Sequence, residues 1–190
     1  EHLKSEEAAG RTIDFSKLDS LPTGLGEVYA VNFGRAFPNG AKDPMWELAR
    51  PLIELITAAM EPIAVEMAAE LLEWDEAQQE RVLEATGLLF PVREGRFHVF
   101  HKTVVDWLTG EIAEGSSLAE RSTEFCVDRA DGHARLAAGF EGWRGDKEGG
   151  GGSYWLRHGV VHLCRAGRVA EAANVYASDL ALLRRRVDAG

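Results

Sequence analysis

The chain has 190 residues, 45% of them hydrophobic and 27% charged, a packed globular composition that excludes a disordered or collagen-like polymer. Its 31 acidic residues against 21 basic ones give a formal net charge of −10 and a pI near 5.1. A surface of that sign repels nucleic acid and anionic lipid and favours protein partners.

Two isolated cysteines, Cys126 and Cys164, form neither a disulfide framework nor a zinc-knuckle pattern, which fits a reducing, cytoplasmic setting. No apolar run approaches the roughly 20 residues of a membrane span. The start, Glu1-His2-Leu3-Lys4-Ser5-Glu6-Glu7, has no signal-peptide pattern and no Met, and a basic helix runs up to Gly190. The sequence is therefore expected to be a piece of a longer protein.

Residues 1 to 20 are polar, with scattered Ile13, Phe15 and Leu18, and are expected to form a frayed entry and a loop. Leu25, Val28, Tyr29, Asn32, Phe33 and Phe37 then recur at three- and four-residue steps, a helix closed by Pro38-Asn39-Gly40. From Met45 to Met60, Leu48, Leu52, Ile53, Leu55, Ile56 and Ala59 give another, with Pro51 either starting its regular part or kinking it. Glu61-Pro62 breaks the chain before a helix that turns Val65, Ala68, Ala69 and Leu72 inward. Asp75 can cap the next one with Gln78 at its third position, and Val82, Leu83 and Thr86 supply its buried face.

Gly87 ends that helix. Leu88 to Val92 reads as a strand, Arg93-Glu94-Gly95 as a turn and Arg96 to Phe100 as the return strand, after which Lys102 to Leu108 becomes helical. Helices followed by a hairpin is the winged-helix plan. His101 sits at the strand-to-helix junction, where free backbone donors and a positive dipole favour an anion or a neighbouring domain.

A helical segment carrying Leu136, Ala137 and Phe140 is expected within 115 to 143, after the polar approach Asp128 to His133. Arg144 to Ser153 reads as a flexible loop. Tyr154 to Ala166 forms a helix stopped by Gly167, and Val169 to Arg186 forms another. Such a hairpin exposes an apolar side unless further helices or another domain stack on it. The fold class is thus mainly α, a winged helix with a small two-stranded hairpin flanked by helical segments. Its divisions are 1–43, 44–114 and 115–190, with the loop at about 144–153.

Leu21-Pro22-Thr23-Gly24-Leu25 with Tyr29 and Phe33, Glu61-Pro62-Ile63 with the helix-turn-helix, Phe97 to Leu108, and Asp128 to Ala137 with Tyr154 to Arg168 come in one order. In that order they resemble the region downstream of the nucleotide-binding core in STAND-type signalling NTPases, the class of NACHT proteins and AP-ATPases. The resemblance covers about residues 21 to 186. It implies a regulatory segment made of the end of a helical domain, a winged helix and the start of the C-terminal helical superstructure. In that family the histidine of a Met-His-Asp-like motif touches the β-phosphate of ADP and locks the closed state. His101 matches it, with protonation expected to be favoured beside the anion, while Phe100 stands in place of Met and Lys102 in place of Asp. Lys102 departs from that motif, and a lysine there could add a second phosphate contact. It also implies as partners an upstream nucleotide-binding domain in cis, a downstream domain of ankyrin, propeller or helical repeats, and other subunits on activation. Neither a GxxxxGK[ST] loop nor a carboxylate magnesium site is visible, so ADP or ATP with magnesium belongs to the parent protein, and this chain is expected to be non-catalytic and to hold no cofactor itself.

Plainer readings stand beside these. His101 can be satisfied by a backbone carbonyl at a strand end. His98 belongs at a surface or interface. His158 and His162, four apart with Cys164 near, have half the spacing of a zinc site, for which helix packing is the better account. A DNA-binding winged helix would present Asp75, Glu76, Glu80 and Glu84 against Arg81 to phosphates, the wrong sign. A nucleotide-independent scaffold or repeat-capping module is the competing class.

Overall fold

The computed structural model describes residues 24–99, 101–111, 122–146 and 152–188; the polar entry over 1–20 and Phe100 lie outside them. Among the described residues the chain is mainly helical, with one two-stranded antiparallel sheet.

Helix α1, Leu25–Ala36, ends where Pro38 can no longer donate, and turns Phe33 inward. Helix α2, Pro44–Ala58, is started by Asp43. This carboxylate accepts from the Met45 N–H (2.9 Å) and from the Asn39 N–H (3.1 Å) and side-chain amide (3.3 Å). Those donors hold the Asp43 carboxyl below the usual range. Pro44 takes the first helical position, where its missing N–H costs nothing, and the helix continues through Pro51.

Helix α3, Val65–Leu71, leads to α4, Glu76–Thr86, whose capping box forms as the spacing anticipates. The Gln78 N–H donates to Asp75 Oδ1 (2.7 Å) and the Asp75 N–H to Gln78 Oε1 (3.1 Å). The hairpin has strands β1, Val92–Arg93, and β2, Arg96–Phe97, shorter than the sequence suggests. Leu88 to Phe90 is a turn instead, because the Leu89 and Phe90 N–H groups both bond back to Thr86 O. Glu94 and Gly95 have φ of 51° and 69°, the paired positive values of a tight hairpin turn. Ala64 bridges to Arg96, and the Phe97 N–H donates to Ile63 O (2.9 Å), so residues 63–65 line the free edge of β2.

Helix α5, Lys102–Thr109, is stopped by Gly110 at φ 74°. Helix α6, Arg129–Asp146, includes the stretch 129–133 that the sequence reads as a polar approach, because the Asp128 carboxylate accepts from the Ala130 N–H (2.7 Å) and starts the helix early. Helix α7, Gly152–Arg165, begins before Tyr154, so both ends of the expected 144–153 loop are helical and 147–151 lie outside the described residues. The expected helix over 169–186 is two, α8, Val169–Ser178, and α9, Leu180–Asp188. Asp179 divides them, accepting from the Leu182 N–H (2.9 Å) as a cap and from Arg144 of α6 (3.1 Å).

Phe33 centres an aromatic cluster, its ring centroid 5.2 Å from that of Trp107 on α5 and 5.4 Å from that of Phe125. Trp46 on α2 and Phe90 after α4 close around it. Helices α2, α6 and α7 form the second part of the core, brought close by glycines. A Cβ on Gly132 would lie 2.1 Å from Glu54 O, and one on Gly159 would lie 2.1 Å from the Phe140 ring.

Candidate functional site

His101 has extended backbone, φ −153° and ψ 141°, and is the N-cap of α5. The Thr103 N–H donates to its Nδ1 (3.2 Å), and the Thr103 hydroxyl lies 2.8 Å from the same nitrogen. Tyr29 of α1 reaches the Thr103 hydroxyl in turn, and its ring packs on Trp107 at 5.7 Å. A backbone N–H can only donate, so Nδ1 must present its lone pair and the neutral ring carries its proton on Nε2. A proton on Nδ1 would remove this cap. His101 and Lys102 are both exposed at the first turn of the eight-residue helix. The imidazole is satisfied by helix capping rather than by a backbone carbonyl.

His98 is half-buried beside a cavity of about 240 Å³ that Met60, Glu61, Pro62 and Val99 also line. His158 and His162 do not converge on one point. The His158 Nε2 lies 3.7 Å from Glu61, which also binds Arg157, whereas His162 is fully buried. Cys164 is exposed, and no cluster of three or more His, Cys, Asp or Glu that could hold a metal occurs among the described residues. No helix among them is long and apolar enough to cross a membrane.

Compared with protein-family models, with curated proteins and with solved structures, the chain has no match.

The second polar constellation lies inside the core. The Met60 N–H donates to Tyr154 Oη (3.4 Å), Tyr154 Oη lies 2.8 Å from His162 Nε2, and His162 Nδ1 lies 2.9 Å from His133 Nδ1. The Tyr154 and His162 rings stack with 13° between their planes. Burial pushes the His162 imidazole down to about 3, helped by His133 and His158. It pushes His133 down to about 4, helped by Arg129 and Arg165. Burial likewise raises the Tyr154 hydroxyl above its ordinary range.

Sequence reasoning did not join these residues. A signal was present: Tyr154, His158 and His162 are spaced by four and share a helix face. The position of His133, on α6, is fixed by tertiary packing alone.

A third buried group, Glu54 of α2, is met by Arg50 at 2.9 Å and Arg135 of α6 at 3.5 Å. Burial outweighs both guanidinium groups and raises its carboxyl above the ordinary value.

Proposed function

We propose that this chain is a non-catalytic regulatory segment of a STAND-type signalling NTPase, in which a winged helix contacts ADP on a neighbouring nucleotide-binding domain and controls a closed-to-open switch. The observation that carries this reading is the fixed tautomer of His101, whose Nε2–H is left to donate outward beside the N-terminus of α5. Lys102, exposed on the same turn, adds a cation where a phosphate would sit. The winged-helix assignment is supported by the succession of α2, the edge segment at residues 63–65, α3, α4 and the hairpin. The acidic α4, with Glu76, Glu80 and Glu84, weighs against DNA as the ligand of such a fold.

The test is made in the full-length parent protein by quantifying the nucleotide that copurifies with it. His101→Ala is expected to lower ADP occupancy and raise basal oligomerisation. His101→Asn keeps a good N-cap but not the reach of an imidazole, so it is expected to lower occupancy without loosening α5. Unchanged ADP occupancy in both variants rejects the sensor role and favours a nucleotide-independent scaffold or repeat-capping module.

A further inference from the structure

The buried chain from Met60 to His133 can be ordered in only one direction. Tyr154 Oη accepts the Met60 N–H, so its single hydrogen must point to His162 Nε2. The neutral His162 then carries its proton on Nδ1 and donates to His133 Nδ1, which leaves the His133 proton on Nε2. The reverse order would place two N–H donors on the Tyr154 oxygen and leave its hydrogen without an acceptor among the described residues. Every link therefore requires both imidazoles to be neutral.

A second proton has no place here. On His133 Nδ1 it would face the His162 N–H across 2.9 Å, and on His162 Nε2 it would face the Tyr154 O–H across 2.8 Å. The surroundings do not compensate it. Among the described residues, Arg129 on α6 and Arg165 on α7 face His133 against Glu111, His158 faces His162, and Glu61, beside Tyr154, is held by Arg157. His133 and His162 are 6% and 0% exposed, so water cannot screen the added charge.

We propose that the Tyr154–His162–His133 chain is a proton-operated latch: with both imidazoles neutral it fastens α7 to α6 and to the Met60 turn after α2, and an added proton unfastens α7. α8 and α9 follow α7 directly but keep their own ties to α6, Asp179 to Arg144 and Arg168 to Glu141, so the element the latch releases is α7. This device is independent of the nucleotide reading of His101. Each imidazole has a depressed value when fastened, about 4 and about 3, against its ordinary 6.5 when released. The fastening is thus complete above 6.5 and weakens as pH falls toward the depressed values. Between pH 7.5 and 5 the released population rises roughly 30-fold per imidazole and on the order of 1000-fold when both are exposed.

Two measurements on the 190-residue chain test this. Imidazole NMR at pH 7.5 is expected to find His162 protonated on Nδ1 and His133 on Nε2, with neither ring titrating near 6.5. Native-state hydrogen exchange, corrected for its intrinsic pH dependence, is expected to show α7 opening at least 100-fold more often at pH 5 than at pH 7.5, while α4 changes little. The double substitution His133→Leu, His162→Phe removes both rings of the latch and should abolish the 100-fold rise in α7 opening, leaving only the smaller pH dependence of the His158–Glu61 contact. If that variant does not fold, the native tautomers and titrations still decide. Either ring titrating at its ordinary value, His162 protonated on Nε2, or α4 and α7 losing protection together overturns the latch.

Discussion

Replacing Gly132 with Ala tests the close approach on which the α2–α6–α7 layer depends. The new Cβ would lie 2.1 Å from Glu54 O and 2.7 Å from Ala58 Cβ, both on α2. Ordinary contact begins near ~3.5 Å, so the two helices must part by about 1 Å or more. The obstruction is backbone, which cannot rotate away as a side chain can. Overpacking of this kind costs about 1–3 kcal/mol, and its upper end applies here, while Ala in place of Gly in a helix returns up to about 1 kcal/mol. The net expectation is a loss of about 2 kcal/mol. Gly142, also within α6, supplies the control, because a Cβ there meets nothing within 4 Å. Gly142→Ala is expected to gain about 0.5–1 kcal/mol from helix propensity alone. The variants should therefore differ by about 3 kcal/mol, or about 1.5 M in urea midpoint at a slope of about 2 kcal/mol/M, followed by circular dichroism. If Gly132→Ala unfolds at the same urea concentration as Gly142→Ala or later, the packing argument fails.

Phe33→Ala empties the centre of the aromatic cluster, where Phe33 is fully buried against Trp107, Phe125, Trp46 and Phe90. It is expected to cost about 3–5 kcal/mol, read from chemical unfolding, and a loss below 1 kcal/mol would contradict a shared core among α1, α2 and α5. Glu54→Gln keeps the shape of a carboxyl whose value burial has raised. A raised carboxylate value favours the fold below the unfolded value and penalises it as pH rises through the folded one, so the amide should be at least as stable as the native side chain at pH 7.5. That relative advantage should shrink by pH 4, and urea midpoints at the two pH values check it; an amide that is weaker at pH 7.5 and regains parity at pH 4 would show that the Arg50 and Arg135 pairing outweighs burial.

Local chemistry was legible wherever a short stretch settles its own backbone. The Asp75 and Gln78 spacing specified a capping box that forms with both its bonds, and Gly167 stops α7 at φ 77° as its position implied. Lys102 begins a helix because the apolar period changes there, and His101 caps it. Periodicity alone could not divide the stretch 169–186, since Asp179 breaks it through a cap and through an ion pair to Arg144, a residue 35 positions away. Nor could it show that Leu88 to Phe90 would turn rather than extend, because the competing acceptor, Thr86 O, lies at the end of the preceding helix.

The two polar constellations separate the contributions of sequence and fold. The placement of His101 at a helix start is a local property, fixed by residues 97 to 108 and readable from their spacing. Its tautomer also rests on local donors, the N–H and hydroxyl of Thr103, although Tyr29 joins that hydroxyl only through the packing of α1 on α5. The pairing of His133 with His162 has no local cause. It exists because Gly132 admits the α2 backbone and Gly159 the Phe140 ring, so α2, α6 and α7 pack closely enough to bury both imidazoles against each other.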